Sequence, residues 1–249
     1  MNDVIKKIKE KKEFSQIPDD IILRVLNLNK VKNLDERSQI KEARSLLRKI
    51  FSAFLTNKVL SGKLNASEIL KKHYSSKYRD YETVYKRILD NEKTIVDLGA
   101  GVNGFSYPEI LKFSKAKYIG IEAIGQLVDL MNNYFIQNNV DALAIHEDLF
   151  NADNIVKILK SSKKPRVVFM FSIIDALEFL ERDYSKQLIL QIISETEKIA
   201  LSFPTESLGK RRRFKAKRFW ILNFIEENFK VLDDFELNGE RFLIFSECK

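Results

Sequence analysis

From residue 93 to the C-terminus, short apolar runs alternate with helix-like stretches. The runs fall at 94–98, 117–123, 141–150, 166–172 and 198–204, with helix-like segments at 108–115, 125–138, 151–161 and 184–197. Strands spaced by helices in this way predict a parallel sheet covered on both faces. The ending differs. After a helix expected near 217–228, two further strands at 231–236 and 241–246 are joined by Asn238-Gly239. Asn-Gly is a strong signal for a two-residue hairpin, and strands joined so tightly run antiparallel. The expectation is a seven-stranded sheet with one strand reversed by the terminal hairpin.

The first third reads as helices. Ile40, Ala43, Leu47, Ile50, Phe51 and Phe54 recur at three- and four-residue steps and predict a helix over 35–58. Lys41, Arg44, Arg48 and Lys49 lie mostly off that apolar stripe. Pro18 can open an earlier helix, with Asp19 and Asp20 in its first turn, and Asn65 or Ser67 can cap a later one. Charge divides the chain at the same place. Residues 1–90 carry 21 Lys and Arg against 12 Asp and Glu, whereas the remainder carries 22 against 23. The positive balance thus belongs to the helical part, as expected of a polyanion-binding attachment on a near-neutral body. Two domains are expected: a basic helical one over 1–80 and an α/β one over 81–249.

Several classes are excluded on composition. A chain that is 45% hydrophobic can bury a sizeable core. Cys248 is the one cysteine, so no disulfide forms within the chain, and with His73 and His146 as the two histidines no zinc site is expected. No apolar run approaches the ~20 residues that a bilayer span needs, and the charged N-terminus is unlike a signal peptide. A cytoplasmic monomer without membrane contact is expected.

The string Val96-Asp97-Leu98-Gly99-Ala100-Gly101-Val102-Asn103-Gly104 follows the first strand. Its glycines allow a sharp turn and close approach to a ligand. The spacing also fits a dinucleotide fingerprint, which alone is weak. Three acids favour S-adenosylmethionine over NAD. Asp97, just before the first glycine, suits a cationic methionine end and would repel a pyrophosphate. Glu122, at the end of the second strand, can accept both ribose hydroxyls, and Asp148, at the end of the third, can meet the adenine amine. With the reversed hairpin, these point to a Rossmann-like class I methyltransferase fold carrying an N-terminal helical domain.

The sequence also resembles the aminoglycoside-resistance 16S rRNA methyltransferases that modify N7 of a decoding-site guanine. The matching segments are Ser202-Phe203-Pro204-Thr205-Glu206-Ser207-Leu208-Gly209, then His73-Tyr74-Ser75-Ser76-Lys77-Tyr78-Arg79, and Gly101-Val102-Asn103 followed by Pro108. The resemblance implies that His73, Ser75 and Arg79 reach the cofactor, with Arg79 on the methionine carboxylate. It implies that Asp97, Gly99, Ala100 and Gly101 line the methionine end, Glu122 the ribose, and Asp148 and Leu149 the adenine, with Phe171 packed nearby. Phe171, Ser172, Phe203 and Pro204 would position the target base; no general base is identified. The sequence departs from the family where Ser172 follows Phe171 in place of a lysine, where Gly104 replaces a proline, and where Phe214-Lys215-Ala216-Lys217-Arg218-Phe219 replaces a Met-Glu-x-Asn-Tyr segment.

Lys210, Arg211, Arg212, Arg213, Lys215, Lys217 and Arg218 form a basic segment after the fifth strand, on the edge where the cofactor is expected. With Arg44, Arg48 and Lys49 of the helical part, they are the expected contacts to RNA phosphates. There is no Asn/Asp-Pro-Pro-Tyr segment for exocyclic amines and no Pro-Cys nucleophile for cytosine C5. Guanine N7 is an exposed lone pair that needs positioning and no base. The expected substrate is 16S rRNA within the small subunit, with tRNA as the alternative. An NAD-dependent oxidoreductase and a non-catalytic RNA-binding module are the competing classes.

Overall fold

The computed structural model describes residues 2–51, 57–60, 62–72, 74–205 and 218–248. The helical part contains α1 (Asn2–Lys9), α2 (Asp19–Asn27), α3 (Glu36–Phe51), α4 (Asn57–Leu60), α5 (Ala66–Lys72), α6 (Tyr74–Lys77) and α7 (Tyr81–Ile88). The expected helix over 35–58 is present as α3, with residues 52–56 outside the described set. Asn65 caps α5: its side chain accepts from the Glu68 N–H at 2.9 Å, and the Glu68 carboxylate accepts from the Asn65 N–H at 2.9 Å. Asp80 caps α7 by accepting from the Thr83 N–H.

Then come β1 (Thr94–Leu98), α8 (Tyr107–Ile110), β2 (Lys117–Glu122), α9 (Gly125–Gln137), β3 (Ala142–His146), α10 (Ala152–Ser161) and β4 (Arg166–Phe171). The chain continues through α11 (Ile174–Leu180), α12 (Tyr184–Ile192), β5 (Lys198–Pro204), α13 (Phe219–Asn228), β6 (Phe229–Leu237) and β7 (Glu240–Glu247). The seven strands form one sheet in the order β3-β2-β1-β4-β5-β7-β6. β1 to β5 pair in parallel, and β7 is antiparallel to both neighbours, as the Asn-Gly turn requires. Asn238 and Gly239 hold that turn with φ of 51° and 78°.

Two expectations needed correction. The helix expected over 108–115 is confined to the short α8, which a 3-10 turn, Asn103–Ser106, precedes and a turn follows. A separate helix, α11, follows β4, where the sequence pattern gave no sign of one.

Apolar side chains close two cores, one on each face of the sheet. The first joins Ile8, Phe14, Ile22 and Leu47 of the helical part to Tyr85, Phe135 and Phe169 in one cluster. The second packs Leu159, Leu188, Ile192 and Ile225 against Val168, Leu201 and Phe245. The helical part therefore packs into the same cluster as one face of the sheet. At ~1.5–3 kcal/mol for each large apolar side chain buried, that contact is a major source of stability.

Candidate active site

The carboxyl ends of β1, β2, β3 and β4 open into one cavity of about 480 Å³, within the size range of small-molecule sites. A parallel sheet places ligands at this edge because the loops leaving its strands splay apart there. Asp97, Gly99, Ala100, Glu122, Asp148, Leu149 and Phe171 all line it. Arg79 enters from the segment between α6 and α7, and Ser172 and Pro204 also line the cavity.

The glycine loop is needed for its backbone. Gly99 and Gly101 have φ of 69° and 54°, values that L side chains rarely adopt. A Cβ on Gly99 would also lie 2.7 Å from Cδ1 of Ile173. The turn brings the Gly101 N–H to 2.8 Å from Glu122 Oε2, while the Ile124 N–H donates to Oε1 at 2.8 Å. Each carboxylate oxygen keeps acceptor capacity for a further donor. Gly104, where the resembled family has proline, packs closely. A Cβ there would meet Met131 Sδ at 2.8 Å and Phe135 Cζ at 2.9 Å.

Burial raises the carboxyl groups of Asp97, Glu122 and Asp148 above their usual range. Hydrogen bonds from Asn103 and Tyr118, and the Arg79 charge, pull Asp97 back. For Glu122 burial dominates over the backbone N–H donors of Ile124 and Gly101, and its pKa is raised to about 7. Its folded value lies above its unfolded one. Its stabilising contribution is thus complete below about pH 4.5 and is lost as pH rises through about 7. Relative to Glu122→Gln, the wild type should lose about 3 kcal/mol of stability between pH 4.5 and 8. Urea denaturation across that range reads the difference, and a pH-independent gap would refute the shift.

Asp97 is held from two sides. Its Oδ2 accepts from Asn103 Nδ2 and from the Tyr118 hydroxyl, both at 2.7 Å. Arg79 is 3% exposed and paired with Glu240 of β7, its Nε and Nη2 donating to the two carboxylate oxygens at 3.0 and 2.7 Å. Ser172 and Ser202 hydroxyls donate to the same Glu240 carboxylate. Burial works against the Arg79 charge, but Glu240 together with Tyr81 and Tyr85 more than offsets it and the guanidinium pKa is raised. The Arg79 guanidinium also lies over the Phe171 ring at 4.9 Å. Asn103, Glu240, Tyr85 and Tyr118 also belong to the site; Asn103 lies in the glycine motif, but nothing local in the sequence marks Glu240.

Other expected positions are distributed differently. Phe203 does not line the cavity. It points to the opposite face of β5 from Ser202 and is buried in the second core. Arg218 is not presented to a phosphate. Its guanidinium is buried, bonded twice to Asp175 and once to the Pro204 carbonyl, and lies 5.0 Å over Phe203. Arg44 donates to the Lys7 carbonyl, and the exposed Arg48 pairs with Glu13 at 2.6 Å. Lys49 lines the cavity mouth and lies 5.4 Å over Phe179. Ser75 falls within α6. His73, Lys210, Arg211, Arg212, Arg213, Lys215 and Lys217 lie outside the described residues.

The helical part contributes a wall that the sequence did not announce. Ile21 of α2 and Ile50 and Phe51 of α3 line the cavity together with Leu177, Phe179 and Leu180 of α11. Among the described residues no cluster of His, Cys, Asp or Glu is placed to hold a metal ion, and no helix is long and apolar enough to cross a membrane.

No protein-family profile matches the chain, and a search of curated proteins finds no match. Solved structures do match. The 16S rRNA methyltransferase RmtF in complex with S-adenosyl-L-homocysteine superposes with a TM-score of 0.78 at 16% identity, covering 99% of this chain and 98% of that one. An rRNA methylase from Escherichia coli gives 0.77 at 19% identity, with 99% of each chain covered. The 16S rRNA methylase RmtB gives 0.74 at 19% identity, covering 99% and 98%. With the sheet order and the reversed β7, these likenesses show that the chain has, over essentially its whole length, a class I S-adenosylmethionine-dependent methyltransferase fold with helices added at the N-terminus.

Proposed function

We infer that this protein transfers a methyl group from S-adenosylmethionine to RNA, and that its substrate is guanine N7 of 16S rRNA in the small ribosomal subunit. The observation that carries the reading is the set of three buried carboxylates, Asp97, Glu122 and Asp148, at the ends of adjacent strands around one cavity. Such acids suit a cationic nucleoside with hydroxyl and amine donors, because burial has stripped them of water and disfavours their charge until a donor pairs with it. They fit the cofactor.

When bound, S-adenosylmethionine supplies an electrophilic methyl group on a sulfonium sulfur. Asp97 would accept from its amino group, Arg79 would face its carboxylate, Glu122 would hold the ribose hydroxyls and Asp148 the adenine amine. Phe171, Ser172 and Pro204 form the wall where a base would approach. Guanine N7 reacts through a lone pair that carries no proton, so alignment is the main demand on the protein. The basic balance of residues 1–90 and the segment over 210–217 would neutralise RNA phosphates, in a salt-dependent manner. The likeness to 16S rRNA methylases supports a ribosomal substrate.

The test is transfer of labelled methyl groups to purified 30S particles and, in parallel, to deproteinised tRNA, with the product nucleoside identified by mass spectrometry. 7-Methylguanosine in 16S rRNA is the expected result. Label in tRNA alone would replace the ribosomal reading with the tRNA one, and label in neither would sink both.

A further inference from the structure

Asp97 and Arg79, the anion and cation at one end of the cavity, are joined by a single side chain. Asn103 donates through Nδ2 to Asp97 Oδ2 at 2.7 Å, and its Oδ1 accepts from Arg79 Nη1 at 3.4 Å. A carboxylate accepts and a guanidinium donates, so the amide has one satisfactory orientation. It is braced from behind. The Tyr85 hydroxyl lies 3.4 Å from Oδ1 and 2.6 Å from the Ser106 hydroxyl, which donates to the Asn103 carbonyl at 2.6 Å. Asn103 is 4% exposed.

The pairing elsewhere decides which atoms remain for a ligand. Asp97 Oδ2 is taken by Asn103 and Tyr118, leaving Oδ1. Arg79 gives its Nε–H and one Nη2 hydrogen to Glu240 and one Nη1 hydrogen to Asn103, leaving one N–H on each terminal nitrogen. One free carboxylate oxygen and the outer edge of one guanidinium, spaced by one amide, suit the ammonium and carboxylate that an α-amino acid carries on a single carbon.

We propose that Asn103 is a positioning residue: it sets Asp97 Oδ1 and Arg79 Nη1 relative to each other, and so selects nucleosides bearing an α-amino-acid group over the same nucleosides without it. The proposal rests on the cofactor reading above and names the residue through which that site discriminates. A rigid bridge serves this purpose because a buried pair left to reorient would forfeit aligned hydrogen bonds to the ligand.

Calorimetric titration of the full chain with S-adenosylhomocysteine and with 5′-methylthioadenosine tests it, since the second ligand keeps the nucleoside and loses the amino-acid group. Asn103→Ala should weaken S-adenosylhomocysteine about tenfold or more and leave 5′-methylthioadenosine within about twofold. Tyr85→Phe, which keeps the ring and removes the brace, should shift the same preference about threefold and decides the matter should Asn103→Ala fail to fold. Parallel loss of both ligands would overturn the proposal by making Asn103 a packing residue. Unchanged S-adenosylhomocysteine affinity in both variants would also overturn it, while leaving the cofactor reading intact. A wild-type chain that binds no S-adenosylhomocysteine would overturn that reading, and this proposal with it.

Discussion

Replacing Asp97 by alanine should lower kcat/KM for methyl transfer by about 10³, close to 4 kcal/mol of lost transition-state stabilisation. The effect should be large because the carboxylate is fully buried and already aimed by two hydrogen bonds. Removing it takes away the partner proposed for the ligand ammonium and leaves the Asn103 amide and the Tyr118 hydroxyl without the carboxylate they share. Most of the loss should appear as weaker cofactor binding, read as a rise in the KM for S-adenosylmethionine with the RNA held saturating. Activity within tenfold of wild type would mean that this carboxylate does not hold the ligand.

Glu240→Ala should have the largest effect on stability. Arg79 is buried beside it, and removing one partner of a buried pair strands a charge at a cost of roughly 3–5 kcal/mol. For a chain of this size that is about 10 °C in melting temperature. The hydroxyls of Ser172 and Ser202 lose their acceptor in the same step. An Arg79→Met/Glu240→Leu double variant should recover much of the loss, because it removes both charges and keeps the volume. Denaturant unfolding of the two variants beside the wild type reads the comparison. A single variant within about 1 kcal/mol of wild type would show that Arg79 finds another partner.

Much of the sheet could be read from local pattern, because strand and helix periodicities are properties of neighbouring residues. The Asn238-Gly239 turn foretold the reversed β7, and the glycine loop with Asp97, Glu122 and Asp148 foretold where the cavity opens. What local pattern could not supply was partner choice over long separations. Glu240 meets Arg79 across 161 positions, and nothing near either residue announces it. Arg218 read as the end of a basic run facing solvent. It is buried because it opens α13 opposite Asp175 of α11, a helix the pattern did not reveal. Phe203 was assigned by motif, although strand alternation alone puts it on the opposite face from Ser202. Ser172, where the resembled family carries lysine, has a φ of 55° and gives its hydroxyl to Glu240.

Ile21, Ile50 and Phe51 give the N-terminal helices a second task besides carrying positive charge. They form an apolar part of the lining of the chamber into which the strand ends open. Trimming the chain back to the sheet and its own helices would keep each of the three acids yet flood that part with solvent. The excised piece would be a basin where the whole protein has a vault.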